Sequence, residues 1–225
     1  MSPKKIAMPK VRILSEENNS VFNQFLAEIR DHKIQKDRLR FRRNLERCGE
    51  IFAYEISKEL TYAKTEVTTP LGVSEDMLIA EQPILITILR AGLPMHQGLL
   101  NTLDNAGNGY ISAYRKHHKD GSFDIELEYL ACPSIEGKTI ILSDPMLATG
   151  SSMVLAYKAL LEKGKPKHCH IVSLISSAEG MEFTKKNMPP NCTIWLGAVD
   201  QEMTAQSYIV PGLGDAGDLA YGPKD

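Results

Sequence analysis

The 225-residue chain contains no C-x-x-C pair, only one tryptophan, and no apolar run approaching the ~20 residues that cross a bilayer. Its cysteines, at positions 48, 132, 169 and 192, show no metal-ligand or redox spacing, and three lie in apolar segments. They read as buried free thiols in a reducing compartment, which excludes a disulfide framework. The first ten residues lack a long apolar stretch, so neither a leader nor a membrane anchor is expected and a cytoplasmic location follows. A formal charge of −2 supplies no general attraction for polyanions, so nucleic acid is not the expected partner. The 43% hydrophobic and 24% charged content is ordinary for a globular protein. One domain is expected, with an N-terminal helical segment at about 15–60, a core at about 80–200 and a C-terminal loop at 207–225.

The most informative stretch is T-I-I-L-S-D-P-M-L-A-T-G-S-S, residues 139–152. Thr139 to Leu142 has the pattern of a buried strand. It stops at Asp144, and Pro145 forbids further pairing. Small and hydroxylic residues, Ala148 to Ser152, then precede the helical pattern M-V-L-A-Y-K-A-L-L. A strand, an acid and a helix start with unpaired N–H groups suit a sugar phosphate. An ordinary strand–loop–helix connection capped by Ser or Thr is the plainer alternative.

Strands and helices alternate around this stretch. A first helix is expected after Ser15, and a second from about Asp37 to Leu60, with Phe41, Leu45, Cys48, Phe52 and Ile56 on one face. Thr65 to Thr69 reads as an edge strand ended by Pro70 and Gly72. Ile84 to Leu89 reads as a core strand ending on Arg90, which would meet either an anion or a nearby carboxylate. Gly109 to Tyr114 and the alternating Phe123 to Leu130 form a hairpin with a long tip after Arg115. A helix from Ser152 to about Lys163, strand 168–176, a helix near 178–187 and strand 192–199 complete an α/β pattern. It calls for a parallel doubly wound sheet with helices on both faces, whose carboxyl edge would gather Arg90, Asp144 and Thr149.

Three further features have competing readings. Arg38, Arg40, Arg42, Arg43 and Arg47 are interleaved with the apolar stripe of the second helix, and a solvated face or subunit interface is preferred to a phosphate site. His117–His118 diverge on extended backbone, and His168 and His170 share a strand face without a further ligand, so neither pair is expected to hold a metal. The ending S-Y-I-V-P-G-L-G-D-A-G-D-L-A-Y-G is too rich in glycine for a standard helix or strand. It is either a disordered tail or a loop whose peptide groups read a small planar ligand.

Taken together, I-L-R-A-G-L (88–93), D-P-M-L-A-T-G (144–150) and Y-I-V-P-G-L-G-D-A-G-D (208–218) resemble the signature motifs of uracil phosphoribosyltransferases, in order and at similar spacing. F-R-R-N-L-E-R and T-T-P-L-G near the N-terminus are also similar. The resemblance implies a type I phosphoribosyltransferase-like fold with a β-hairpin arm and a C-terminal hood. It implies transfer of phosphoribose from 5-phosphoribosyl 1-diphosphate (PRPP) to uracil, giving UMP and diphosphate with Mg²⁺. Carried over, Arg90, Arg115 and Asp215 would be catalytic. Asp144, Pro145, Met146, Leu147, Ala148, Thr149, Gly150, Ser151 and Ser152 would hold the ribose and 5-phosphate, with Arg90 and Arg115 on the diphosphate. Ile209, Gly214, Asp215 and Ala216 would border uracil. No residue would bind the metal directly; Mg²⁺ would ride on PRPP and reach Asp215 through water. The resemblance further implies a homodimer or larger homo-oligomer and leaves a GTP effector open.

The chain also departs from that pattern. The tip Lys116 to Ser122 is longer and more basic than usual, Pro94, Ser151 and Ser207 stand where glycines are common, and Leu219 replaces an arginine. Two rival functions share the motifs: an RNA-binding regulator that senses nucleotide through the same pocket, and a phosphoribosyltransferase for another base.

Overall fold

The computed structural model describes residues 8–117 and 123–223, and the side chains of 113–127 lie outside that description. Four strands form the centre of one large sheet: β4 (Ile84–Leu89), β7 (Thr139–Ser143), β9 (His168–Ser177) and β10 (Cys192–Asp200). They are almost wholly buried and, apart from the histidines and serines of β9, mainly apolar, the composition of parallel strands covered by helices on each side. β1 (Lys10–Ile13) lies parallel to β10 at one edge. At the other, β5 (Gly107–His117) runs parallel to β4, and β6 (Phe123–Ala131) pairs antiparallel with β5. The order is β1-β10-β9-β7-β4-β5-β6.

Alternation along the central strands divides the interior into two cores. Leu85, Ile141, Val172, Leu174 and Trp195 pack with α2 (Val21–Arg30), α3 (Arg38–Ser57), α4 (Leu93–Thr102) and α7 (Ala216–Tyr221). Their neighbours Ile84, Ile86, Ile140, Leu142, Ile171 and Ile194 point to the opposite face, against α5 (Ser151–Leu160) and Met181 and Met188 at α6 (Ala178–Asn187). Period-2 side-chain direction on a sheet requires this division. The expected stripe on α3 is realised, with Phe41, Leu45, Cys48, Phe52 and Ile56 buried, and Phe22 of α2 meets Phe52 edge-on at 5.4 Å.

Several expectations need correction. The first helix is divided: α1 (Leu14–Glu17) stops at extended Asn18, and α2 restarts where Ser20 and Asn23 form a reciprocal cap. The edge strand at 65–69 is half of a separate antiparallel hairpin, β2 (Tyr62–Thr69) with β3 (Gly72–Ile79), which pairs with no strand of the main sheet. The glycine-rich ending contains two regular elements, a two-residue pairing of β11 (Glu202–Met203) with β12 (Ile209–Val210), and the six-residue helix α7. Asp215 makes α7 feasible despite Gly217, because its carboxylate accepts the Asp218 N–H at 3.0 Å. The hairpin-tip residues 118–122, His118 among them, lie outside the described residues. The other two histidines have local partners: Trp195 Nε1 donates to His170 Nδ1 at 3.0 Å, and His168 Nε2 lies 3.0 Å from Thr193 Oγ1. Burial holds His170 neutral, its pKa pushed down to about 3.

Candidate active site

At the carboxyl ends of the strands, β7 delivers Asp144 and the chain turns through β8 (Met146–Leu147) into α5. β8 pairs with β9, so the loop lies along that strand instead of hanging free. Pro145 contributes as an acceptor, taking the N–H groups of Leu174 and Ile175 at 3.1 and 3.0 Å. The side chains of Pro145 and Leu147 are buried, while Asp144, Met146, Ala148, Thr149, Ser151 and Ser152 are partly open. Gly150 ends the loop at φ +78°, where a Cβ would sit 2.5 Å from Thr184 Oγ1 and 2.8 Å from the Gly180 carbonyl oxygen. Glycine is required there both by backbone conformation and by contact with α6. Thr149 Oγ1 accepts the Ser151 N–H at 3.3 Å and donates to Ser151 Oγ at 3.2 Å. The positive end of α5 therefore opens onto small hydroxylic residues, a setting for an anion. Ser151 keeps its N–H and adds a hydroxyl.

Asp144 is the perturbed acid of this edge. Burial, together with the nearby negative charge of Asp215, pushes its pKa up to about 7, and the Met146 N–H at 3.3 Å only partly opposes the rise. The charge of Asp215 opposes loss of the Asp144 proton, and a carboxylate so placed accommodates a cation or several hydroxyl donors. Among the described residues no group of three potential ligands could cage a metal ion. Oxygen donors of this kind suit a hard cation such as Mg²⁺ held through its own water, the usual habit of that ion.

Arg90, at the end of β4, meets a carboxylate, one of its two sequence readings. Its Nη2 contacts Asp218 Oδ1 and the Gly222 carbonyl, each at 3.3 Å, while its buried Nε has no hydrogen-bond partner among the described residues. The unfilled donor leaves capacity for an anion. Arg115 lies on β5 opposite Ile125, with its side chain outside the described residues.

The C-terminal segment folds back over this edge. Ile209 and Ala216 turn their side chains into the core, while Gly214 and Asp215 are exposed. The main chain at Gly214 is thus open to solvent. Ser207 has φ +63°, a left-handed conformation that explains why glycine suits the position and costs serine about 1 kcal/mol. Leu219 packs against the main core, and Pro94 fits the opening turn of α4.

Residues not recognised from the sequence hold this segment in place. Arg30, at the end of α2, makes a two-pronged ion pair with Asp200 at 2.8 Å for both contacts, and also donates to the Gly212 carbonyl at 3.0 Å. Asp200 in turn accepts the Gly212 N–H at 2.9 Å. An apolar strand ending on an acid could have flagged Asp200, as it did Asp144; its partner lies 170 residues away and had no local signal. Four of the five α3 arginines also have partners. Arg42 donates to the Ala220 carbonyl at 2.7 Å, Arg40 pairs with Glu28, Arg43 with Glu46, and Arg47 lies over Phe25. The expected solvated face is thus partly a clamp on the chain end.

A mostly parallel sheet flanked by helices, with an acid and a glycine-ended loop at its carboxyl edge and a C-terminal segment folded over them, defines an α/β protein whose site lies at the strand ends. The fold matches the structure of the AQ2163 protein from Aquifex aeolicus with a TM-score of 0.83 at 27% identity, covering 94% of this chain and 98% of that one. The sequence profile of uracil phosphoribosyltransferase matches residues 17–223. A uracil phosphoribosyltransferase of Porphyromonas gingivalis is 57% identical over 206 residues, 92% of this chain and 95% of that one. One from Methanococcus vannielii is 37% identical over 213 residues, 93% and 90% of the respective chains. The chain belongs to the uracil phosphoribosyltransferase family.

Proposed function

We propose that this protein transfers phosphoribose from PRPP to uracil, giving UMP and diphosphate in pyrimidine salvage. The observation that carries the proposal is the juxtaposition of a phosphate-suited loop, Asp144 to Ser152, with a peptide-rich C-terminal loop anchored beside Arg90. The 5-phosphate would sit on the N–H groups and hydroxyls of Thr149 to Ser152, and the ribose hydroxyls would donate to Asp144. Arg90, with Arg115, would hold the departing diphosphate. Mg²⁺ carried by PRPP would neutralise charge on the leaving group, with Asp215 placed to hold one of its waters. Departure of diphosphate leaves an oxocarbenium-like sugar, so charge neutralisation in a site closed against water carries the rate, without a strong nucleophile. Uracil alternates N–H donors with carbonyl acceptors, which the peptide groups of Ile209, Gly214 and Ala216 can match. Cytosine would set an amino group against a donor. Formation of UMP from uracil and PRPP with Mg²⁺ tests the reading; no turnover at saturating substrates would sink it.

The raised pKa of Asp144 predicts a pH dependence. Its folded-state pKa of about 7 lies above the ordinary carboxylate value, so its ionisation detracts from stability progressively as pH rises from about 4 through 7. The ribose hydroxyls need the ionised form as acceptor. Below pH 7 the free protein must therefore release a proton on binding, and KM for PRPP should rise by up to about tenfold per unit of acidification. Asp144→Asn removes that component and leaves only the titration of PRPP itself. Identical KM–pH profiles for the two proteins would contradict the assignment.

The single domain is further proposed to work as a homo-oligomer in the reducing cytoplasm. The β2–β3 hairpin supports the first point, since it stands apart from the main sheet with Val67, Leu71, Val73, Met77 and Leu78 exposed. Buried thiols at Cys48, Cys169 and Cys192 support the second. Sedimentation velocity of the intact chain reads the assembly, and a monomer at micromolar concentration would contradict it. Among the described residues no helix is long and apolar enough to cross a membrane.

A further inference from the structure

Beyond the ligand-facing residues, β9 carries serines at 173, 176 and 177 that no step of the chemistry requires. Their hydroxyls meet the main chain of the loop from below. Ser173 Oγ donates to the Asp144 carbonyl at 2.5 Å, and Ser177 Oγ to the Ala148 carbonyl at 2.5 Å. Ser176 Oγ lies 3.3 Å from the Leu147 carbonyl but nearer, at 2.9 Å, to the carbonyl of Ser177, so it is the weaker member. All three loop contacts share a separation of 29 residues, as does the β8–β9 pairing of Met146 with Ile175 and Leu147 with Ser176. The side chains thus extend the ladder at the loop positions flanking β8. Ser173 and Ser177 are also completely buried, where a hydroxyl is retained only with a partner.

We propose that Ser173 and Ser177 are positioning residues: they fix the Asp144 and Ala148 carbonyls onto β9, so that the peptide N–H groups of the following turn face the PRPP phosphate. The inference rests on the Asp144–Ser152 segment being the phosphoribosyl site. A loop that presents N–H groups to an anion must direct its carbonyl dipoles elsewhere, because a carbonyl turned toward phosphate repels it. Backbone pairing with β9 does this at Met146 and Leu147. At Asp144 and Ala148 the serine hydroxyls supply the donors. Ser177 also accepts the Gly180 N–H at 2.8 Å as the cap of α6, which ties that helix to the loop it supports. Gly180 itself has no room for a side chain, since a Cβ would meet the Leu147 carbonyl oxygen at 2.6 Å.

The test is steady-state kinetics of Ser173→Ala, Ser177→Ala and the double variant, each with its melting temperature. Thr193→Val serves as a matched loss of a buried hydroxyl at the far end of the sheet, where Thr193 meets His168. Each single variant should raise KM for PRPP about fivefold, the equivalent of one neutral buried hydrogen bond, and the double variant by about twentyfold. KM for uracil should change by less than about twofold, because its loop is anchored separately through Arg30 and Asp200. Thr193→Val should lower the melting temperature while both KM values stay put. Either serine suffices should the other variant fail to fold. Serine variants that lower the melting temperature like Thr193→Val, with KM for PRPP unchanged, would overturn the positioning role. A wild-type chain that does not turn over PRPP at all would overturn the phosphoribosyl site beneath it, an outcome read separately from the variants.

Discussion

Asp215→Asn lowers kcat by about a hundredfold while leaving the fold intact. The position joins two jobs that the substitution separates. As the cap of α7, the side chain accepts the Asp218 N–H at 3.0 Å, and asparagine caps a helix as well as aspartate. As a charge, it lies close enough to raise the proton affinity of Asp144, and in the proposed reaction it would hold a water of the metal carried by PRPP. Removing one preorganised charge from such a site costs on the order of 10²–10³ in rate. The melting temperature should move by no more than about 2 °C, since the hydrogen bond is kept. A proportional loss of stability and activity would instead make Asp215 a structural cap alone.

A second large effect is expected at Arg30→Met. Asp200 is 7% exposed and retains only the Gly212 N–H once the guanidinium is gone. Leaving a largely buried carboxylate unpaired costs about 3 kcal/mol, at the low end of the buried range because Arg30 itself is partly solvated. Arg30 also holds the Gly212 carbonyl, so the peptide groups proposed to face uracil lose their anchor. KM for uracil should rise at least about tenfold, with a smaller change for PRPP. The double variant Arg30→Met/Asp200→Asn removes the stranded charge and keeps an acceptor for Gly212. Much of the stability should return, while the weak uracil binding persists. Recovery of both together would show that Arg30 only offsets a charge.

The fold was largely legible because its determinants are local. The apolar runs of β4, β7, β9 and β10 and the stripe on α3 announce themselves by period and length, and Asp37 and Ser177 cap helices where sequence rules place them. The proposed phosphate loop had a legible architecture for the same reason, since the strand, acid and helix start occupy fourteen consecutive residues. Three things were hidden. The α7 helix was missed because glycine content outweighed the Asp215 cap. The β3 strand was missed because its exposed, mixed sequence has no buried face to impose alternation. The supports of the site, Arg30 with Asp200 and Ser173 and Ser177 under the loop, depend on tertiary neighbours that no spacing in the chain reveals. Arg42 likewise shows its purpose only once α7 is packed against α3.

The central claim is that the phosphate loop and the C-terminal loop form one two-substrate site that selects its base through peptide groups. The most direct measurement is product formation from PRPP and Mg²⁺ with uracil, cytosine, hypoxanthine and orotate in parallel. The account predicts UMP from uracil, and at least about a hundredfold lower kcat/KM for cytosine, whose amino group would leave a buried donor unpaired. Hypoxanthine and orotate should give no product above background. Comparable turnover of cytosine or hypoxanthine, or release of diphosphate that does not depend on the base, would contradict it.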